Sequence, residues 1–300
     1  MRGKAIVSSD GHRRRRRDRV KLAAPALLAC LALGLGACAT LENPSGAEKN
    51  NDALYARSQS NLSSLTEVIE KHPADPQAYN MRGSAYGEAG MNEQALADFD
   101  KAISLDPNYG QAYANRGLVY RRIGKLDLAL ADYNKALSIN PSYGAAYLGR
   151  GVVYGRQGHA MEALADFNKA IALEPNNAEA YYNRGLLYQG KGQHQFAIDD
   201  FSTAINLAPR RAPPYVARAL SYLAAGNDKA AANDLDQAVQ LDPTDPKAWT
   251  SRGLAYERLG QKDKAAGSYA KALNLNSKYP PAIAGFARVG GEVGKAYQTF

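Results

Sequence analysis

The chain has 300 residues, and 37 Lys and Arg against 29 Asp and Glu give a net charge of +8. Nine of the basic residues but only Asp10 and Asp18 fall within 1–21, so 38–300 carries 28 basic and 27 acidic residues, net +1. That balance gives no support to a nucleic-acid reading, which needs a basic patch on the folded part. The two cysteines, Cys30 and Cys38, cannot supply a disulfide framework once the first of them is removed with a leader.

The N-terminus reads as an address. A basic run at 13–17 precedes an apolar stretch at 22–35 that is interrupted by Pro25 and ends in Gly36, Ala37 and Cys38. A spanning helix needs about 20 apolar residues, whereas a charged region, a short apolar region and small residues describe a secretory signal. Leu35-Gly36-Ala37-Cys38 resembles the lipobox of bacterial lipoproteins. The resemblance implies cleavage after Ala37, lipid on Cys38, export to the periplasmic face, and, with Ala39 in second place, retention at the outer membrane. Arg16-Arg17 hints at twin-arginine export, but Arg19 stands where that signal has an aromatic residue, so the export route stays open. Residues 38–50 are polar with Pro44 and Gly46 and form a tether. A dozen such residues reach roughly 40 Å when extended.

Residues 51–75 are expected to form a degenerate hairpin, with Leu65, Val68, Ile69 and Pro73 keeping the pattern of a second helix. From Tyr79 onward the chain repeats itself. "DFDKAISLDPNYGQAYANRGLVY" at 98–120 returns as "DYNKALSINPSYGAAYLGRGVVY" at 132–154 and as "DFNKAIALEPNNAEAYYNRGLLY" at 166–188. Six ungapped copies of 34 residues fill 76–279, and a fixed period of that size marks a stacked helical array.

Numbering each copy from its first residue, position 4 is Tyr79, Tyr113, Tyr147, Tyr181, Tyr215 and Trp249, and position 8 is Gly in every copy except Ala219. Position 15 is Gly90, Gly124, Gly158, Gly192, Gly226 and Gly260, which suits a left-handed residue just past a helix end. Position 20 is Ala throughout, position 24 is aromatic except Leu235, and position 27 is Ala throughout. Those three spacings make one buried stripe on a second helix. Pro at position 32, replaced by Ser277 in the last copy, separates one copy from the next. The copy from 212 departs most, with Pro213-Pro214, Ala219 and Leu235.

These landmarks resemble the tetratricopeptide repeat. The resemblance implies an all-α, right-handed α-solenoid of helix-turn-helix repeats, with the degenerate hairpin in front and a capping helix and mobile tail over 280–300. Ile283, Phe286 and Val289 give that last segment an apolar face.

Position 7 departs from the family, which usually has Leu there: it is Arg82, Arg116, Arg150, Arg184, Arg218 and Arg252. Position 23 is Asp98, Asp132, Asp166, Asp200 and Asp234, with Ser268 in the sixth copy. In a hairpin turning near position 15, positions summing to about 31 face each other. Each Arg is therefore expected to pair with the Asp of its own repeat, leaving Arg252 opposite Ser268. Pairing with the preceding repeat would instead set Arg82 opposite Ser64. A groove of six arginines for an anionic ligand is the sharper alternative, and an Asp at matching period argues for neutralisation.

No catalytic set emerges. His72, His159 and His194 fall at turns with no metal-ligand spacing, and neither Gly190-Lys191-Gly192 nor Gly294-Lys295 has the P-loop spacing. No enzyme activity, metal or cofactor is expected. The resemblance places the partner-binding surface at positions 2, 5, 6, 9, 12 and 13 of the first helices, giving Asn115, Arg121, Arg122, Arg156, Tyr182, Asn183, Gln189 and Arg258. Arg121, Arg122 and Arg156 would converge on an acidic peptide or a free carboxylate; as cations at helix C-termini they also simply suit the dipole. Asn115 and Asn183 fit part of a carboxylate clamp found in some relatives. A row of leucines at position 9 either lines that face or packs between helices. Two expectations remain: an adaptor resembling tetratricopeptide lipoproteins of the NlpI type, which serve peptidoglycan hydrolases and a periplasmic protease, or an assembly factor of the pilotin or outer-membrane-biogenesis kind. The partner is a periplasmic protein or peptide in both. The sequence leaves the oligomeric state open.

Overall fold

The computed structural model describes residues 61–292 and Tyr297. The leader, the lipobox with Cys38, the tether and residues 51–60 of the expected hairpin lie outside the described residues. Within them every regular element is a helix, and no helix is long and apolar enough to cross a membrane. The first, α1, covers 61–71. Six hairpins follow: α2 (Pro76–Glu88) with α3 (Asn92–Leu105), α4 (Gly110–Arg122) with α5 (Leu126–Ile139), and α6 (Gly144–Arg156) with α7 (Ala160–Leu173). Then come α8 (Ala178–Gly190) with α9 (His194–Leu207), α10 (Ala212–Ala224) with α11 (Asp228–Leu241), and α12 (Pro246–Arg258) with α13 (Lys262–Leu275). α14 (Pro280–Arg288) closes the stack. It starts one residue before the apolar pattern suggested, because Pro280 suits the first turn of a helix.

The breaks fall where the chain's chemistry puts them. Every position-15 glycine has positive φ, Gly158 at +82° among them, and Gly290 repeats the device after α14. A β-branched residue at such a backbone is strained whatever space surrounds it. The second helices end at position 30, and the residue after them is often Asp or Asn. The side chains of Asp106, Asn140, Asp242 and Asn276 each accept from the backbone N–H two residues on, at 2.9–3.1 Å. Such a turn competes with further helix, so the stop is set by the Asx residue as well as by the proline after it.

Packing within a hairpin depends on position 8. A Cβ built on Gly83, Gly151, Gly185 or Gly253 would come within 2.6–2.8 Å of the ring at position 24, namely Phe99, Phe167, Phe201 or Tyr269. Where position 8 becomes Ala219, position 24 shrinks to Leu235, and both are fully buried. Small against large is preserved by exchanging sizes, as close packing requires. Each first helix also meets the next first helix, so α2, α4, α6, α8, α10, α12 and α14 form one continuous layer.

The two ends differ from expectation in detail. On α1, Leu65 and Ile69 are buried, but Val68 is 41% exposed at the position where every later repeat has an Ala at 0%. On α14, Phe286 is buried while Ile283 is 47% exposed, so the face is narrower than the sequence pattern implied. Tyr297 belongs to the tail expected to be mobile, yet its ring meets Phe286 edge-on at 5.5 Å and its hydroxyl accepts from the Glu292 backbone at 2.7 Å.

Candidate partner-binding face

The first-helix layer is built around the six arginines of position 7. In five repeats Nε and one Nη donate to both oxygens of the Asp in the same repeat: Arg82 to Asp98, Arg116 to Asp132, Arg150 to Asp166, Arg184 to Asp200, and Arg218 to Asp234, all at 2.7–2.9 Å. The other Nη reaches back to position 25 of the preceding repeat: Thr66, Asp100, Asn134, Asn168 and Ser202 accept at 2.6–3.2 Å. Neither sequence alternative contained that second contact, because it uses position 25 and not Ser64 or its equivalents. In the sixth repeat the charges trade places. Arg252 donates Nε to Asp236 of the preceding repeat at 2.6 Å and one Nη to Ser268 of its own at 2.8 Å.

Each guanidinium also lies between two rings three residues before and four after it, at 4.9–6.0 Å from their centroids. A planar cation with carboxylates at its edge and aromatic rings beside it has its donors and faces occupied. Hydrogen bonding to the partner Asp outweighs the cost of burial and raises the pKa of the first five guanidiniums. The arginines therefore tie repeats together and do not line an anion groove.

The eight residues proposed for binding divide by what they touch. Arg122, Arg156 and Arg258, all at position 13, each donate to a carbonyl near the end of the preceding first helix: Gly87, Arg121 at 3.1 Å, and Leu223 at 2.6 Å. Arg258 also meets Asp228 at 3.1 Å. These cations sit where helix C-terminal carbonyls need donors, on the helix next door rather than their own. Arg121 acts by its charge and hydrogen bond on Tyr133, whose pKa burial raises against that pull. Arg121, Arg122 and Arg156 thus lie side by side across two repeats, but each is anchored to the scaffold.

Asn115 donates to the Asn80 side chain at 3.0 Å and the Ser84 hydroxyl at 3.3 Å, while Asn183 is buried and donates to the Glu179 carbonyl at 2.8 Å. The two amides do not form a common clamp. Gln189 donates to the Ala217 carbonyl and to the Ser221 hydroxyl, both at 2.8 Å, and the Tyr182 ring lies 5.9 Å from that of Phe201. Position 9 takes both of its proposed roles: Leu118 is 38% exposed, Leu186, Leu220 and Leu254 are half-buried against hairpin cores, and Val152 is buried.

One feature of this face was readable in the sequence but overlooked. A tyrosine at position 24 occurs twice, as Tyr133 and Tyr269, and each is followed by a glycine at position 6 of the next helix, Gly149 and Gly285. A Cβ on either glycine would fall 2.3–2.4 Å from the ring. The Tyr269 hydroxyl donates to Glu257 at 2.6 Å, and Arg288 on α14 donates to the same carboxylate at 2.8 and 3.0 Å. The closing helix is fastened by that triad.

Among the described residues no group of His, Cys, Asp and Glu is placed to hold a metal. Models of the tetratricopeptide repeat match 76–109, 178–211, 99–131 and 246–279, and a TPR repeat model matches 117–158, 161–192 and 219–260. The chain is a tetratricopeptide-repeat protein. Among curated proteins no sequence matches it. Its fold is similar to a chain of the APC/C Cut9–Hcn1 hetero-tetramer (TM-score 0.70, 19% identity), covering 78% of this chain and 46% of that one, so this chain spans under half of that relative. It is also similar to pilF of Pseudomonas aeruginosa (TM-score 0.66, 20% identity, 71% of this chain and 97% of that). MamA matches at 31% identity over 54% of this chain and 95% of its own (TM-score 0.50). Tetratricopeptide repeats are protein-interaction scaffolds that bind protein or peptide partners.

Proposed function

We propose that the chain is a non-enzymatic adaptor of the bacterial envelope, exported, cleaved after Ala37 and lipidated on Cys38, that docks an extended peptide or an envelope enzyme on its first-helix face. The observation that carries the reading is the contrast within that face. The arginine ladder and the position-13 contacts are engaged inside the scaffold, while Leu118 on the same face is 38% exposed. A preorganised, partly apolar layer costs little ordering when a partner binds. The Leu35–Cys38 motif supports the anchor. The pilotin-type assembly role remains the second reading, since the likeness to pilF reaches the fold alone.

A photo-crosslinker at Leu118, compared with one at Lys135 on the second helix α5, tests the face in an envelope preparation. Position-dependent capture at 118 supports it, and equal capture at both sites overturns it. Envelope enzymes among the captured partners favour the adaptor, and pilus or outer-membrane assembly components favour the second reading. Cys38→Ser tests the anchor separately: a protein of unchanged mobility that stays in the lipid-bound fraction sinks it.

A further inference from the structure

Of the twelve exposed large apolar side chains among the described residues, five lie between the end of a first helix and the first turn of the second, Met91 of the first repeat (37%) among them. The other four, Ile123 (38%), Leu128 (47%), Met161 (70%) and Phe196 (59%), belong to the second, third and fourth repeats. The turns are brought alongside each other. Arg156 donates to the Arg121 carbonyl at 3.1 Å, Gln157 donates to Asp127 at 3.1 Å, and α6 packs on α8. The corresponding places at the start of α11 and α13 are Lys229 and Ala230, and Asp263 and Lys264. The apolar edge therefore stops at the fourth repeat.

Over those three repeats the edge is basic, while the first repeat has Glu88 and Glu93 at the matching positions. Positions 12 to 19 of those three repeats hold Arg121, Arg122, Lys125, Arg156 and Lys191 against Asp127 and Glu162. Both carboxylates already face a protein group, Gln157 at 3.1 Å and His159 at 3.5 Å. Arg122, Lys125 and Lys191 are exposed. Contiguous apolar exposure on a folded domain marks an interaction site, and the form of this one narrows the partner. The side chains rise from successive turns, Phe196 with its ring 5.4 Å from that of Tyr188, and Arg122, Lys125 and Lys191 belong to the same segments. A folded protein would need matching pockets for each projection. A layer of lipid headgroups deforms around them, takes the apolar tips to the acyl boundary and leaves the cations among phosphates.

We propose that this edge is a membrane-contact surface for anionic lipid, with Leu128, Met161 and Phe196 entering the headgroup layer. It goes beyond the adaptor reading and does not depend on lipid at Cys38. Contact here would lay the turn edge on the bilayer and leave the first-helix face available to a partner.

The test uses the full chain with Cys30→Ser and Cys38→Ser, carrying an environment-sensitive fluorophore on Met161→Cys, on Phe196→Cys or, as control, on Ser104→Cys near the end of α3. The probes are vesicles of phosphatidylcholine with or without phosphatidylglycerol. A blue shift and intensity gain at 161 and 196 on phosphatidylglycerol vesicles, absent at 104 and weakened by salt, supports the proposal. In the unlabelled chain, Leu128→Glu with Phe196→Glu is expected to lower vesicle affinity several-fold without changing helicity. Attachment through the basic run at 13–17 alone would leave the 161 and 196 probes in water while the chain sediments with vesicles, and that result overturns the proposal. So does an equal response on pure phosphatidylcholine, or a response to acidic soluble proteins and not to vesicles.

Discussion

The sixth repeat and the five before it solve one problem in two ways. In the first five, a guanidinium 17–21% exposed takes its charge partner from its own second helix and a second acceptor from the repeat behind. In the sixth, Arg252 is 3% exposed, Ser268 stands where the Asp should be, and the carboxylate comes from Asp236 across the repeat boundary. What the fold conserves is thus an Arg between two acceptors, one on each side, and not the repeat to which the negative charge belongs. Where the carboxylate is intra-repeat, it stabilises a hairpin; where it is inter-repeat, it stabilises a junction.

Removing the charge from the junction is expected to have the largest effect. Asp236→Asn withdraws the carboxylate from Nε of a deeply buried cation and from the Tyr256 hydroxyl, which donates to it at 2.8 Å. The expected loss is about 3–5 kcal/mol, read as a lower midpoint in urea. Adding Ser268→Asp to that variant should recover most of the loss by restoring the pattern of the other repeats; no recovery would show that the two arrangements are not equivalent. Asp166→Asn should cost less, near the lower end of that range, because Arg150 is 21% exposed and keeps Asn134.

Steric changes sharpen the same contrast. Gly253→Ala drives a Cβ to 2.6 Å from the Tyr269 ring, which Glu257 and Arg288 hold in place, and about 1–3 kcal/mol is expected. The matching Gly117→Ala in the second repeat meets its neighbours at 3.3 Å and should cost less in the same titration. The smallest change is Asp100→Ala. That carboxylate is 57% exposed and Arg116 keeps Asp132, so about 0–1 kcal/mol is expected, falling further with salt.

The sixth repeat should also respond to acid. Burial pushes the Glu257 carboxyl up, but hydrogen bonds from Arg288 and Tyr269 outweigh it and leave the pKa below the usual carboxylate range. A depressed carboxylate stabilises the fold above its unfolded pKa, and that contribution is lost as pH falls through the lower, folded value. Hydrogen exchange in α14 should therefore rise at the acid end before exchange in α6 does. Glu257→Gln should remove the difference; a difference that persists in Glu257→Gln would assign it to another group.

The sequence by itself determined the number of helices in 76–279 and where each hairpin turns. A period of 34, glycine at each turn, and alanine facing aromatic residues are local or near-local signals that act within one hairpin. It also put the arginines and aspartates of one repeat together, because an antiparallel hairpin fixes which positions face. Only the tertiary structure decided the contacts between hairpins. The reach of each Arg to position 25, the Arg122, Arg156 and Arg258 bonds to a neighbouring helix end, and the amides of Asn115 and Gln189 all depend on the rotation and rise from one repeat to the next. That geometry is the sum of many small packing preferences, and no single residue encodes it. It is why Asn115, Arg122, Arg156, Gln189 and Arg258, chosen for a groove by position within a repeat, also fasten one repeat to the next.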